Sequence, residues 1–247
     1  MGLVALQGAV GFLTRVPVGR HDTAWDAFRR VPWTIVVVGY GIGAIVVVPF
    51  LLPITPPTAA ILFVVVLYGV TGITHVDGLG DLGDAMAVHA DRERRQAVMG
   101  DSKIGVGAVL TIGLVLAGLL LAGVSLARRP LLALGIVLAS EVGAKLAMVG
   151  VICYGTAFHE GIGSALTDES SKRDVLLPAI IAAPVGVLTW PNPAGFAALV
   201  TALVIASGCG WWSRRSLGGV NGDVIGATNE VARVAALHVG VIAWMHW

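Results

Sequence analysis

The composition of this chain of 247 residues is that of a protein whose surface faces lipid. Apolar residues make up 56% of the sequence, charged residues only 13%, and the mean hydropathy is +0.86. This profile is typical of a polytopic protein in a lipid bilayer and excludes an ordinary water-soluble domain. The formal net charge of +1 offers no basic surface to a phosphate backbone, so no nucleic-acid partner is expected.

Long apolar segments predict an all-α fold, a polytopic integral membrane helical bundle that forms a single domain over residues 1–247. A membrane-spanning helix needs about 20 apolar residues, and about seven segments approach that length. The fifth of them is short. The predicted spans are 33–53, 58–74, 104–126, 131–152, 175–190, 194–211 and 231–247.

The loops between these spans are of two kinds. Some are short and uncharged, whereas residues 75–103, 153–174 and 212–230 form long ionic loops that carry eight of the 16 Lys and Arg residues, with four more in the N-terminal 30 residues. The positive-inside rule predicts that the long loops and the N-terminus face the cytoplasm. We therefore expect a multi-pass protein of the cell membrane whose functional loops are cytoplasmic. The pair Arg128 and Arg129 falls on the other side and does not fit this scheme.

The segment 75–84, which reads HVDGLGDLGD, follows directly on an apolar run. In a helix, Asp77, Asp81 and Asp84 stand at i, i+4 and i+7 and share one face. Three carboxylates within about two turns repel one another unless a cation lies among them. We expect that cation to be Mg²⁺, bound together with a phosphate-bearing substrate. The glycines between the aspartates let a second helix or a ligand approach the backbone.

A second segment, residues 217–230, repeats this combination of glycines and acids. A glycine-rich turn leads into a predicted helix, with Asp223 near its first turn and Glu230 on the same face. The amide groups of a helix start favour anions such as phosphate, although small residues at helical spacing also serve packing. We expect residues 75–103 and 212–230 to be two cytoplasmic active-site segments that close on one site.

Three polar residues, Asp101, Ser102 and Lys103, stand just before an apolar span. Ser102 suits a helix cap and a ligand contact equally well. Lys103 can hold a phosphate as a point charge. The charged stretch 91–95 is interpreted as a solvated surface helix.

Taken together, these motifs resemble the cobalamin synthase family, also called adenosylcobinamide-GDP ribazoletransferase. The resemblance spans nearly the whole chain in the expected order, and its first signature is the most specific. The segments that carry it are 75–84, 91–95, 101–105 and 217–230, with an Arg-x-Pro element at 14–17 and a loop element at 159–163. Some positions depart from the family pattern: Gly80 replaces alanine, Asn221 replaces threonine, and Glu141 stands where arginine is frequent.

The resemblance implies the last assembly step of coenzyme B12. Such an enzyme joins α-ribazole, or its 5′-phosphate, to adenosylcobinamide-GDP and releases GMP in a phosphoryl transfer that requires Mg²⁺. The implied metal ligands are Asp77, Asp81, Asp84 and Asp223. His75 or one of these aspartates, Asp84 first among them, would accept the proton of the attacking hydroxyl, although His75 equally suits an orienting role. The implied substrate contacts are Arg15, Asp101, Ser102, Lys103, Gly219, Asn221, Gly222 and Glu230.

Two other functions compete with this one. A CDP-alcohol phosphatidyltransferase also uses spaced aspartates and Mg²⁺, but its aspartate spacing and arginine element differ. A transporter would place charges inside its spans to mark an ion path. Glu141 and Lys145 form such an intramembrane pair, and at i and i+4 they can satisfy each other without transport. The many glycines fit packing within the chain or between subunits of a homo-oligomer, and the sequence does not choose.

Overall fold

The computed structural model describes residues 2–19 and 23–247, and within these residues the chain forms α-helices and no β-strand. We number the helices in chain order. They are α1 (Gly2–Leu13), α2 (Ala24–Arg29), α3 (Trp33–Val46), α4 (Pro56–Thr71), α5 (Thr74–Ala87), α6 (Arg92–Met99), α7 (Val106–Leu126), α8 (Pro130–Tyr154), α9 (Ile162–Thr167), α10 (Leu176–Ala182), α11 (Ala194–Ser216) and α12 (Gly222–Met245).

In the described part of the chain, four helical segments have the length and apolarity of a membrane span. They match four of the predicted spans, which confirms the all-α membrane bundle as the fold class. The segments are Trp33–Leu51, which is α3 with the 3₁₀ turn that follows it, and α7, α8 and α11. The count of seven spans is not confirmed.

The predicted second span is broken near its end. Helix α4 stops at Gly72, whose positive φ of 71° is one that glycine adopts readily, and α5 leaves at 99° to α4. If the bent pair crosses the membrane together, the number of spans rises to five. The three aspartates of α5 therefore lie on a helix that turns away from the axis of α4.

The other two predicted spans also differ from the structure. The fifth, 175–190, forms only the short helix α10 and a 3₁₀ turn that ends at Val187. Pro184 lies in this turn, and its missing N–H prevents an α-helix from continuing there. The last predicted span begins earlier than expected, at Gly222, so the first turns of α12 carry Asp223 and Glu230.

Helix α8 lies at the centre of the bundle, where it packs against α3, α11 and α12. Nearly all of α8 is buried, whereas only 28% of the span in α7 and 33% of the span in α11 are buried despite their apolar sequences. Exposed apolar helix faces are those expected to contact lipid. The central helix therefore carries its polar residues in a protein environment, away from the bilayer.

The charged stretch 91–95 is more than a solvated surface. Asp91 caps α6 by accepting a hydrogen bond from the Arg94 N–H at 3.0 Å. Arg95 donates to the backbone carbonyls of Ala85 and Ala90 at 2.8 and 3.1 Å. Arg95 thus satisfies free carbonyl groups at the end of α5 and fixes that helix against α6.

Helices α5 and α12 cross at glycines, and this crossing joins the two sequence segments predicted to form the site. A Cβ atom at Gly78 would lie 2.7 Å from the Cα of Asp223, and one at Gly226 would lie 3.1 Å from the Cα of His75. Any side chain at Gly78 would push the helices apart. The glycine spacing therefore brings the start of α12 directly onto the acidic helix.

Candidate active site

An acidic cavity of about 410 Å³ opens at the end of the bundle where α5 meets α7. Asp77, Asp81 and Asp84 line it from α5, and the loop 99–103 lines it from the other side. This loop contributes Asp101, Ser102 and Lys103, so the structure brings these residues together with the first aspartate cluster as predicted. The three aspartates share one helical face, which also confirms the spacing argument.

Two of these aspartates carry unsatisfied charge. Within the described residues, the carboxylates of Asp77 and Asp81 accept no hydrogen bond and form no ion pair. Burial first, and then the charges of Asp223, Asp77 and Asp84, together raise the pKa of Asp81 to about 6. A cation placed among these groups would reverse that effect, because opposite charge favours the ionised form.

Asp84 is held differently, because both of its carboxylate oxygens accept backbone hydrogen bonds. The Gly105 N–H donates to Oδ2 at 2.7 Å and the Ala108 N–H donates to Oδ1 at 2.9 Å. Asp84 therefore caps the start of α7, whose N-cap residue is Gly105. Of the two roles left open for Ser102, the structure therefore does not show the cap. Each oxygen of Asp84 keeps a further lone pair, so its metal and proton roles stay predictions.

Asp223 is oriented by the residue that caps its helix. The Oδ1 of Asn221 accepts from the Val224 N–H at 3.0 Å, and its Nδ2 donates to Oδ2 of Asp223 at 2.7 Å. Burial raises the pKa of Asp223, and the bond from Asn221 opposes this shift. Asn221, predicted to contact substrate, is buried and acts in the structure on Asp223. Its contact with substrate stays a prediction.

The glycine-rich turn before α12 packs against the loop that follows α8. A Cβ at Gly219 would lie 2.3 Å from the Thr156 carbonyl oxygen, so only glycine fits there. The Val220 N–H donates to that carbonyl at 2.9 Å, and the Phe158 N–H donates to the Val220 carbonyl at 3.2 Å. Gly222 has more room, since its Cβ would meet Ile162 at 3.6 Å. Phosphate contacts at the two glycines stay predictions.

The loop that packs against the start of α12 also carries His159, which was not among the predicted site residues. A positive charge on His159 would lower the pKa of Asp223. His159 is exposed, and its Nδ1 lies 2.7 Å from the Glu160 carbonyl oxygen. The only signal in the sequence was the loop element at 159–163, because no local spacing links it to the aspartates.

Two cations predicted to contact phosphate are free for that role. Arg15 lies across the break between α4 and α5, where a Cβ at Gly72 would come within 2.7 Å of its Nε. Lys103 lines the acidic cavity, and its backbone N–H donates to Oδ1 of Asp101 at 3.2 Å. In the described part of the chain, neither side-chain charge has an ion-pair partner.

The structure places Glu230 outside the acidic cavity, so the geometry does not support its predicted contact with substrate, which stays a prediction. Glu230 is buried, and its Oε2 accepts hydrogen bonds from Nη1 of Arg233 at 2.6 Å and from the Tyr68 hydroxyl at 3.1 Å. Nδ2 of Asn229 donates to its other oxygen at 2.9 Å. Asp223 and Glu230 lie on one face of α12, as their spacing predicts. At Glu230, seven residues after Asp223, this face points into the bundle because α12 packs against α8.

Glu230 belongs to a set of polar side chains inside the bundle. Arg233 also donates hydrogen bonds to both carboxylate oxygens of Glu141. Lys145 donates to Oδ1 of Asn229 at 2.6 Å and lies 3.9 Å from Glu141. We call this set the buried network; its members are Tyr68, Glu141, Lys145, Asn229, Glu230 and Arg233.

The buried network revises the intramembrane pair inferred from the sequence. Glu141 and Lys145 were expected to satisfy each other, whereas Arg233 from α12 is the nearer partner of Glu141. Two carboxylates face two cations, so the charges balance within the protein. The intramembrane charges that suggested a transporter are thus accounted for by pairing between helices.

His75 lies next to the buried network and away from the acidic cavity. Its Nδ1 lies 3.2 Å from Nδ2 of Asn229, which can only donate, so Nδ1 accepts. His75 lines a smaller cavity of about 70 Å³ together with Asp223. This position favours an orienting role over direct proton transfer at the three aspartates of α5.

The cavity does not contain a complete metal site by itself. In residues 2–19 and 23–247, no three His, Cys, Asp or Glu side chains converge closely enough to hold a metal ion. Mg²⁺ is commonly bound by one or two carboxylates, with water and substrate phosphates supplying the other ligands. The unpaired carboxylates of Asp77 and Asp81 fit that partial set.

The fold and this site together define a polytopic membrane protein with an acidic ligand cavity at one end of its helical bundle. The sequence pattern of the cobalamin-5-phosphate synthase family matches residues 5–241, so the chain belongs to that family. This finding confirms the resemblance drawn from the motifs.

Relatives in other organisms match over their full length. Proteins of Halorubrum lacusprofundi and Haloquadratum walsbyi, both named adenosylcobinamide-GDP ribazoletransferase, are 52% and 44% identical to this chain. The alignments cover 99% of this chain in both cases, and 99% and 100% of the two relatives. A Methanocella arvoryzae protein of the same name is 35% identical, over 99% of this chain and 98% of its own. No solved structure matches the chain.

Proposed function

We propose that this protein joins α-ribazole, or its 5′-phosphate, to adenosylcobinamide-GDP and releases GMP. The product is adenosylcobalamin or its 5′-phosphate. The observation that carries this proposal is the acidic cavity, because its unpaired carboxylates belong to the most specific family signature and face a space of about 410 Å³. The names of the full-length relatives point to the same reaction.

The reaction makes modest chemical demands on the protein. A hydroxyl of α-ribazole attacks the phosphorus attached to the cobinamide arm, a new P–O bond forms, and the diphosphate bond breaks as GMP leaves. Such phosphoryl transfers depend on positioning and on stabilising negative charge. In our proposal Arg15 and Lys103 bind phosphate oxygens, and a carboxylate of the cavity accepts the hydroxyl proton. Asp84 is the predicted acceptor.

We also propose that the cavity binds Mg²⁺ through Asp77 and Asp81, with Asp223 contributing from across the helix crossing. The donors fit this ion, since all three are carboxylates and the first two have no partner in the described residues. When bound, Mg²⁺ neutralises charge on the diphosphate. The substrate phosphates would complete a site that the protein leaves partial.

The proposed orientation places the cavity on the cytoplasmic side of the cell membrane, as the distribution of Lys and Arg favours. Lys103→Cys would report it, because residue 103 is exposed at the cavity. We expect a membrane-impermeant maleimide to label this cysteine only after the cells are permeabilised. Labelling of intact cells would show that the cavity faces the outside instead.

The function is tested with Asp81→Asn in purified, reconstituted protein. GMP release from adenosylcobinamide-GDP and α-ribazole should fall by at least about 100-fold, the scale for removing one preorganised charge from a phosphoryl-transfer site. Asp168→Asn is the matched control, since Asp168 is an exposed aspartate away from the cavity. Full activity of Asp81→Asn with unchanged Mg²⁺ dependence would overturn the metal assignment, and no GMP release from the wild type would overturn the reaction.

A further inference from the structure

A second large cavity, of about 410 Å³, lies in the seam between α8 and α11. On α11 its lining runs from Leu203 to Arg214, a distance of about 16 Å at the rise of an α-helix. Val151 and Tyr154 line it from α8. Only 33% of the apolar span of α11 is buried, and Leu203 is exposed, so this groove opens on a surface that is expected to face the bilayer.

The two ends of the groove differ in polarity. Leu203 lies at one end, while Arg214 lies at the other beside Tyr154, at the same end of the bundle as the start of α12. The guanidinium of Arg214 makes one long hydrogen bond, 3.4 Å to the Tyr154 carbonyl oxygen, and no ion pair in the described residues. Lys172 and Arg173 are exposed on the turn that leads to Val175, which also lines the groove. These two side chains and Arg214 outnumber the one carboxylate of the turn, Asp174, so the polar end has a net positive charge.

A glycine keeps the groove open. No atom lies within 4 Å of the position that a Cβ would occupy at Gly210, which lines the groove. A side chain at this position would extend into the empty space instead of meeting protein. Gly208, two residues earlier on α11, also has no atom within 4 Å of its Cβ position but does not line the groove.

We propose that this groove binds one anionic phospholipid, with an acyl chain along the seam of α8 and α11 and the phosphate at Arg214. An acyl chain supplies apolar atoms of the required length, and basic side chains near the membrane surface attract anionic headgroups. This lipid site goes beyond the proposed function. None of its lining residues lines the acidic cavity.

The test uses delipidated full-length protein in detergent, titrated with dioleoyl phosphatidylglycerol or dioleoyl phosphatidylcholine and analysed by native mass spectrometry. The wild type should bind one phosphatidylglycerol about fivefold more tightly than phosphatidylcholine, the scale of one basic side chain at an anionic headgroup. Arg214→Gln should lose this preference. The matched control Arg215→Gln should keep it, because Arg215 stacks over Trp211 and does not line the groove.

Filling the groove tests the acyl-chain position separately. Gly210→Leu should weaken phosphatidylglycerol binding by at least about tenfold, because several methylene groups lose their site, whereas Gly208→Leu should bind as the wild type does. Equal binding of the two lipids by the wild type, or wild-type affinity in Gly210→Leu, would overturn the proposal. So would a dimer that forms without lipid and is abolished by Gly210→Leu, since a second copy would then occupy the seam. GMP release is measured on the same samples, so that a failure of the lipid proposal can be distinguished from a failure of the proposed reaction.

Discussion

The acidic cavity and the buried network hold similar side chains in opposite ways. In the cavity, Asp77 and Asp81 face open space without partners. In the buried network, Glu141 and Glu230 are almost inaccessible, and each accepts a hydrogen bond from Arg233. The two regions adjoin through α5 and α12, yet one leaves negative charge uncompensated while the other balances it.

This difference indicates what each region does. Unpaired carboxylates in a cavity raise the free energy of the empty protein, and the proposed Mg²⁺ would remove that cost on binding. Paired charges inside a membrane bundle satisfy each other and stabilise the contact between α8 and α12. Neutralising one residue should therefore have opposite effects on stability in the two regions.

The largest expected effect comes from breaking the buried network. Arg233→Met leaves Glu141 and Glu230 without their main partner and should lower the free energy of unfolding by about 3 to 5 kcal/mol. Thermal unfolding in detergent measures it. Adding Glu230→Gln should recover part of the loss, because one fewer carboxylate is unpaired. Arg215→Met, on the surface, is the control, and a wild-type unfolding temperature for Arg233→Met would show that the network does not hold the bundle.

The next effect comes from separating the two regions at the helix crossing. Gly78→Ala places a methyl group 2.7 Å from the Cα of Asp223, so α5 and α12 must move apart. A displacement of about 1 Å at a site that depends on alignment should lower kcat for GMP release by about 100-fold. Gly69→Ala on α4 is the matched control, since no atom lies within 4 Å of its Cβ position. Equal kcat in the two variants would contradict the proposed role of the crossing.

A smaller effect distinguishes Asp84 from its neighbours in the cavity. Asp84→Ala removes the acceptor for two backbone N–H groups at the start of α7 and should lower stability by about 1 to 2 kcal/mol. Ser102→Ala should change it by less than about 0.5 kcal/mol, because Ser102 forms no cap. Chemical denaturation of the two variants compares them directly. A larger loss of stability in Ser102→Ala than in Asp84→Ala would show that Ser102 caps α7.

The smallest effect has the opposite sign. Without Mg²⁺, Asp81→Asn should raise stability by less than about 1 kcal/mol, because it removes like-charge repulsion that water already screens in part. Mg²⁺ should then stabilise the wild type more than the variant, because a ligand stabilises the state that binds it. Unfolding temperatures with and without Mg²⁺ measure both changes. A loss of stability in Mg²⁺-free Asp81→Asn would show that Asp81 is paired rather than repelled.

Much of the first region was readable from the sequence because it depends on local periodicity. The spacing of Asp77, Asp81 and Asp84 predicts one helical face, and α5 has that face. Four of the predicted spans likewise follow from uninterrupted apolar length. The break at Gly72 was missed, since a glycine at the end of an apolar segment is equally compatible with a straight helix and a turn.

The second region was not readable, because its contacts join distant residues. Arg233 meets Glu141 across 92 positions, and Gly105 meets Asp84 across 21. Helical spacing correctly predicts that Glu230 and Asp223 share one face of α12. It does not indicate at which residue this face becomes buried in the protein. Ser102 had the right residue type and position for a cap, yet the acceptor that reaches the helix start comes from another helix.

The sequence by itself determined the membrane bundle, the family and the acidic helix, since composition and short-range spacing carry that information. Only the tertiary structure decided which charges are free and which are paired. That distinction depends on helix crossings, where Gly78 and Gly226 allow α5 and α12 to touch and the packing of α12 on α8 encloses Arg233. Burial and pairing are properties of those contacts, and an isolated residue in a sequence does not possess them.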